Sequence, residues 1–190
     1  RIDELESLVK VQSNIVDKLQ IKCDDLESYS RRYCLRLNGI PVHHDEKNEN
    51  SLTTLEKCYK EINLPFVSDE IDRVHRIGKS MIEKGSGNKV RQMIVKFKSW
   101  DSRNKLYFAR PKFQKDKKKP GNRPFTITID LTKRRYELYK RAIDMIKDNP
   151  KVDYVYSDIN CSLALKIKAD NSSRYFNDER ELEKLLSALN

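Results

Sequence analysis

The chain opens on a heptad pattern. Ile2, Val9, Val16 and Cys23 fall at a positions and Leu5, Gln12, Leu19 and Leu26 at d, through almost four heptads without Gly or Pro. A 3.5-residue apolar repeat of that length predicts a coiled-coil helix over residues 1–30. A lone amphipathic helix packed on the rest of the chain is the alternative. Valine or isoleucine at a with leucine at d leans towards dimers in parallel coiled coils. Against that, Arg1-Ile2-x-x-Leu5-Glu6 fits the R-h-x-x-h-E trimerisation pattern. There an Arg at g reaches Glu at e of a neighbouring helix while its methylenes cover the core. We therefore expect a homotrimer, with a dimer as the alternative, and Gln12 as a polar layer that fixes register.

From Tyr33 the period becomes two. In Arg31-Arg32-Tyr33-Cys34-Leu35-Arg36-Leu37-Asn38-Gly39-Ile40-Pro41, alternation places Leu35 and Leu37 on one strand face and Arg36 and Asn38 on the other. Strand patterns near 33–40, 70–77, 90–98 and 125–130, with helical ones near 51–63 and 100–110, give the order βαββαβ. That is a ferredoxin-like plan, four antiparallel strands with two helices on one face. Asn50-Ser51 is expected to cap the first of these helices, which buries Leu52, Leu55, Tyr59 and Ile62. Residues 78–89, with Gly78, Gly85 and Gly87, read as a hairpin loop, and residues 110–123 as a loop before the last strand.

A second unit begins at Leu131. Thr132 caps a helix to about Asp148 whose apolar side carries Tyr136, Tyr139, Ile143 and Ile146; Asn149-Pro150 stops it. Strands near 152–157 and 162–168 follow, then a closing helix over 176–188 with Leu182, Leu185, Leu186 and Leu189. The expected architecture is thus α+β in three parts: a coiled coil over 1–30, a βαββαβ domain over 31–130 and a small α/β domain over 131–190.

Charge sharpens the functional reading. Residues 1–30 hold seven acids against four basic residues, a balance of −3, so residues 31–190 carry +13 of the net +10. A basic body on an acidic stem points to a polyanion as partner of the body alone. No run of 18 apolar residues is present, so no membrane span is expected. Arg1 already lies inside the helical pattern, so the natural start is expected upstream and targeting is left unread. Cys23, Cys34, Cys58 and Cys161 form no C-x-x-C pair and read as reduced thiols of an intracellular protein, with zinc unexpected.

Val90-Arg91-Gln92-Met93-Ile94-Val95-Lys96-Phe97 fits the third-strand signature of an RNA-recognition motif in register. Met93, Val95 and Phe97 point to the core; Gln92, Ile94 and Lys96 face outwards. Stacking positions therefore hold Gln92 and Ile94, with Arg36 on the first strand, and this sheet lacks an aromatic platform. Base stacking worth ~1–3 kcal/mol per base is mostly forgone. Binding then rests on phosphate contacts, tolerant of sequence and strongly salt-dependent. A fold of the same plan with no nucleic-acid role is the bland alternative. Candidate phosphate contacts are Arg36, Arg91 and Lys96 on the strands, and Lys117, Lys118, Lys119 and Arg123 in the long loop. Lys133, Arg134 and Arg135 follow, in a first helical turn where positive charge opposes the macrodipole. Ion pairing of that trio with Glu137 or Asp130 is the structural alternative.

Enzymatic readings are poor. His43-His44-Asp45-Glu46 looks like a metal cluster but lies in a loop without further ligands, and a solvated loop fits it better. His75 has no nucleophile near it in sequence. Neither a phosphate-cradling glycine loop nor G-x-S-x-G is present. No catalysis, cofactor or metal is expected.

The heptads followed by Asp25-Leu26-Glu27-x-Tyr29-Ser30-Arg31-Arg32-x-Cys34-Leu35-Arg36-Leu37-Asn38-Gly39-Ile40-Pro41 closely resemble the first-open-reading-frame protein of LINE-type non-LTR retrotransposons. The related few-polyhedra protein of baculoviruses is similar too. Asp72-Arg73-Val74-His75-Arg76-Ile77-Gly78, Ile94-Val95-Lys96-Phe97 and Leu131-Thr132-Lys133-Arg134-Arg135 extend the likeness to about residue 148. The resemblance implies a coiled-coil trimer, an atypical RNA-recognition domain and a C-terminal domain that together coat RNA and act as a nucleic-acid chaperone. By motif it implies RNA contacts at Arg32, Arg36, Lys96, Arg134, Arg135 and Tyr156, with Lys96 in place of an Arg and so a weaker bidentate phosphate contact. It further implies cytoplasmic ribonucleoprotein particles, a nuclear pool being left open.

The expected function is sequence-tolerant binding and annealing of single-stranded RNA, and of single-stranded DNA, by an oligomer that packages a retroelement transcript. Many weak sites on one stem combine high avidity with fast exchange of single contacts. The alternative is an oligomeric scaffold whose basic body binds an acidic protein.

Overall fold

A computed structural model of the protein describes residues 1–42, 49–82, 87–110 and 125–189. It is α+β, with a long N-terminal helix, antiparallel sheets and further helices. Two compact units divide the chain: Tyr33–Asp130, and Arg1–Arg32 together with Leu131–Asn190. The expected three-part division therefore becomes two, because the N-terminal helix shares a unit with the C-terminal segment.

The continuous unit holds β1 (Cys34–Pro41), α2 (Ser51–Glu61), β2 (Ile71–Ile82), β3 (Lys89–Phe97), α3 (Trp100–Phe108) and β4 (Thr126–Ile129). Its strands lie in the order β2-β3-β1-β4, each pair antiparallel. Alternation set the faces as the sequence suggests. Leu35, Leu37, Met93, Val95 and Phe97 are buried, as are Leu55, Cys58 and Tyr59 of α2 and Leu106 and Tyr107 of α3; α3 packs on β1 and β3, and α2 on β2. Arg36, Gln92, Ile94 and Lys96 fall on the other face. Asn50 accepts from the Leu52 and Thr53 amides and so caps α2.

Three details differ from the pattern-based reading. Leu52 is 36% exposed, since it sits on the flank of the α2 stripe that Thr54, Leu55, Cys58 and Tyr59 fill. The β2–β3 hairpin reaches beyond Gly78 to Ile82, with a register shift between Ile77 and Met81. Arg91 donates its Nε to the Gly78 carbonyl at 2.8 Å there, satisfying backbone that the shift leaves without a ladder partner. Gly39, at φ 85°, occupies the matching bulge of β1 between Leu37 and Ile40, a left-handed conformation that a side chain would strain.

The discontinuous unit holds α1 (Ile2–Arg31), α4 (Lys133–Ile146), β5 (Val152–Ser157), β6 (Leu163–Ile167), β7 (Ser173–Phe176) and α5 (Glu179–Leu189). Its sheet runs β5-β6-β7, antiparallel throughout. Thr132 caps α4 through the Arg135 amide. That helix is rotated about a quarter turn from the expected face: Leu138 and Ala142 are buried, whereas Tyr136 and Ile143 stay exposed. A small Ala lets the helix backbone approach the sheet, and the bulkier Tyr136 and Ile143 are left outside. α5 starts three residues later than expected, because Ser173–Phe176 forms the short edge strand β7.

Within this unit α1 is asymmetric. Ile21 and Asp24, at heptad positions f and b, are half-buried and buried, and Ser28 at f is buried. The a and d residues Ile2, Leu5, Val9, Val16, Leu19 and Leu26 are all between 50% and 73% exposed. The helix thus packs on its own C-terminal segment through its back, and its apolar seam faces away from that contact.

Candidate nucleic-acid interface

On the continuous unit the candidate surface is the sheet face opposite α2 and α3. Cross-strand pairing aligns His75 with Ile94, Ile94 with Arg36, and Arg36 with Thr128, so one row crosses all four strands. The next row sets Arg73 beside Lys96 and Lys96 beside Cys34. Arg73, His75 and Lys96 are exposed. Sequence reasoning found Arg36 and Lys96; it missed Arg73 and His75, although their alternation with Val74 would have placed them there.

The two arginine and lysine candidates are not bare. Arg36 donates its Nε to Asp130, which is 1% exposed, at 2.5 Å. This anchors the guanidinium at the base of the face while leaving a third of the side chain accessible. Lys96 pairs with Asp72 at 2.9 Å across β2–β3. The hydrogen bond and the charge of each partner lower the Asp72 carboxyl and raise the Lys96 ammonium from their ordinary values. Arg91 belongs to the hairpin, as described above. Arg76, from the same motif as Arg73 and His75, turns into the unit: it pairs with Glu49 at 2.6 Å, the two side chains 7% and 5% exposed. It also donates to the Ile40, Pro41 and Arg91 carbonyls, so its role is structural. Lys117, Lys118, Lys119, Arg123 and the His43-His44-Asp45-Glu46 run lie outside the described residues.

On the discontinuous unit the basic trio divides. Arg135 donates to Asp24 at 2.7 Å, to Asp25 at 2.6 Å and to the Cys161 carbonyl at 2.8 Å. Asp24 also accepts from Thr132 Oγ1 at 2.5 Å. One guanidinium therefore ties α1, the start of α4 and the β5–β6 turn together. The partners are neither Glu137 nor Asp130, but the end of the N-terminal helix. Arg134 lies 3.8 Å from Asp24 and is more open, and Lys133 is exposed. The Arg32 guanidinium stacks on the Tyr29 ring at 3.6 Å.

Tyr156 has company that sequence reasoning missed. It pairs across β6 with Ala164, which pairs with Tyr175 on β7, and Tyr154 lies two residues before it on the same face. Tyr154 and Tyr175 are 52% and 55% exposed, while Ala164 beneath them is buried. The Tyr154 and Tyr156 rings stand 5.9 Å apart, and Tyr156 donates to Ser173 Oγ at 2.7 Å. Its proximity raises the Tyr175 phenol above its ordinary value. The three tyrosines and the aliphatic stem of Lys166, at the pairing position of Tyr154, make one partly apolar sheet surface. The signal in sequence is the alternation in Tyr154-Val155-Tyr156 on the expected strand, which Tyr175 joins once β7 is recognised.

Among the described residues no group of His, Cys, Asp and Glu is arranged to hold a metal ion, and no helix is long and apolar enough to cross a membrane. Cys34, Cys58 and Cys161 are buried and Cys23 is exposed, all as thiols. Burial, with Glu61 nearby, pushes the Cys58 thiol up to about 12. Comparison with protein-family models finds none that matches this chain, and comparison with curated proteins finds no match either.

Proposed function

We propose that the protein is an oligomeric, sequence-tolerant single-stranded nucleic-acid-binding protein that works as an RNA chaperone. The observation that carries this reading is the open face of the four-stranded sheet, where Arg36, Arg73, His75 and Lys96 are aligned in two adjacent rows. Phosphates along one strand meet such a face without base readout, which suits a sheet of RNA-recognition-motif plan lacking aromatics on β1 and β3. The tyrosine face of the other unit adds sequence-tolerant stacking. The exposed a/d seam of α1 supports oligomerisation: its own C-terminal segment occupies the back, and another copy's stem fits the seam. Homotrimer is the state the Arg1…Glu6 pattern favours. Packaging of a LINE-type retroelement transcript is the biological setting that the sequence resemblance suggests.

The test is a titration with a 30-mer RNA, the matching single-stranded DNA and a duplex at several salt concentrations, alongside a mass measurement. We expect binding of both single strands with a steep salt slope, weaker binding of duplex, and a mass of three chains. Indifference to nucleic acid at every salt concentration overturns the reading and favours the scaffold that binds an acidic protein.

A further inference from the structure

Beside the stem seam lies a groove of about 540 Å³ lined by Val16, Leu19, Gln20, Cys23, Asp24, Glu27, Lys133, Arg134 and Glu137. Its apolar floor is the a and d residues Val16, Leu19 and Cys23; the e residues Gln20 and Glu27 lie between that floor and Asp24 at b, and the first turn of α4 stands beyond them. The stem thus supplies two thirds of the lining and the C-terminal segment one third.

The opposite flank of the same helix carries residues that a two-position seam does not use. Leu8 and Ile15 at g and Val11 at c are exposed, and Lys18 at c and Lys22 at g extend that stripe towards the C-terminus. In a parallel coiled coil the g flank of one helix lies against the e flank of the next, each g residue beside the e residue of the following heptad. Ile15 then meets Gln20 and Lys22 meets Glu27, while Arg1 meets Glu6. No like-charged g–e pair arises.

We propose that the groove receives the g flank of a second copy of this chain, so that α4 is part of the oligomer interface. Ile15 of the second copy covers the apolar floor. Lys22 of the second copy pairs with Glu27, and Lys18 of the second copy, one turn earlier on the outer side, reaches Glu137 on α4. Charge supports the fit at one point: Asp24 is committed to Arg135, Glu27 already holds Arg31 at 2.7 Å so that Lys22 would join an existing pair, and beside the cations Lys133 and Arg134 the exposed Glu137 is the carboxylate open to Lys18. This proposal rests on the oligomer reading above and adds to it that the C-terminal segment of each copy grips its neighbour's stem.

The experiment uses the full chain and follows mass against concentration by sedimentation for Glu137→Lys, Lys18→Glu and the two combined, with Val16→Asp alongside. Glu137 and Lys18 are exposed, so a melting curve should show the fold of each variant unchanged. Each single variant is expected to raise the concentration for half-dissociation by roughly tenfold, since a symmetric oligomer repeats the contact at every interface. The charge swap should restore it. Full association of both single variants, while Val16→Asp dissociates, overturns the groove proposal and leaves the stem seam standing. An unchanged mass for Val16→Asp itself overturns both.

Discussion

Asp24 and Arg135, 111 residues apart in sequence, meet at 2.7 Å, and the carboxylate is 6% exposed. The pair makes Arg135 an anchor and leaves Arg134, next to it, as the more open cation.

Arg135→Ala should lower the stability of the discontinuous unit by about 3 kcal/mol, the low end for removing one partner of a buried pair, because it leaves Asp24 with only the Thr132 hydroxyl and the more distant Arg134. Arg134→Ala should change stability by less than about 1 kcal/mol while weakening RNA binding. Melting curves beside RNA titrations separate the two. A loss of RNA affinity in Arg135→Ala with an unchanged melt would show that Arg135 is a ligand after all.

Cys23 tests the arrangement of the stem. It is the exposed cysteine and sits at an a position, so parallel in-register helices bring its copies to one level of the seam, within disulfide reach. Mild oxidation should give a crosslinked dimer band that Cys23→Ser abolishes. Thiol reagents should leave Cys58 unmodified at neutral pH, given a pKa pushed up to about 12. Crosslinking through any other cysteine would contradict the seam.

On the proposed reading, Asp72, which holds Lys96 at 2.9 Å, competes with phosphate for it. Asp72→Asn should therefore raise RNA affinity about two- to fivefold, and Lys96→Ala should remove that gain. The sign with pH follows from the two directions. Asp72 is lowered in the fold, so its contribution is present above the ordinary carboxylate range and fades as pH falls through the lowered value. Lys96 is raised, so its contribution is present below the ordinary lysine range and fades only as pH rises through the raised value. The difference between Asp72→Asn and parent should stay constant from about pH 6 to 9. Identical affinities would mean that nucleic acid does not reach Lys96.

Arg76 is expected to matter for folding rather than binding. Arg76→Ala should cost the continuous unit ~3–5 kcal/mol by removing the guanidinium that neutralises the buried Glu49. Arg76→Met with Glu49→Gln should recover part of this. Little change in denaturant midpoint for the single variant would contradict the buried pair.

The parts legible in sequence were those set by local periodicity. Alternation along Val90–Phe97 gave the inner and outer faces of β3, and Asn50 and Thr132 marked the helix starts they cap. Long-range choices were not legible. Nothing near Asp24 announces that Thr132 and Arg135 are its partners, because contacts across 108 and 111 residues leave no periodic trace. The buried face of α4 was misread because large apolar side chains outweighed Ala142, whose small volume is what the packing selects. Ser173-Arg174-Tyr175-Phe176 is too short and too polar to stand out as a strand, and with β7 went the tyrosine surface.

The hydrogen bond from Thr132 to Asp24 also dictates an order of events during synthesis. Residues 33–130 form a continuous unit that can close as soon as Asp130 has left the ribosome. α1 emerges first, yet its partners on α4 and the β5–β6 turn are made last. At about 5–20 residues per second the helix waits roughly 7–27 s until the last of them, at Cys161, is made. Throughout that interval both its seam and its back are bare, and neighbouring nascent chains on one messenger offer the nearest cover. On the oligomer reading proposed above, the stems are free to pair before the C-terminal segments exist, and each segment then closes onto a stem already in company.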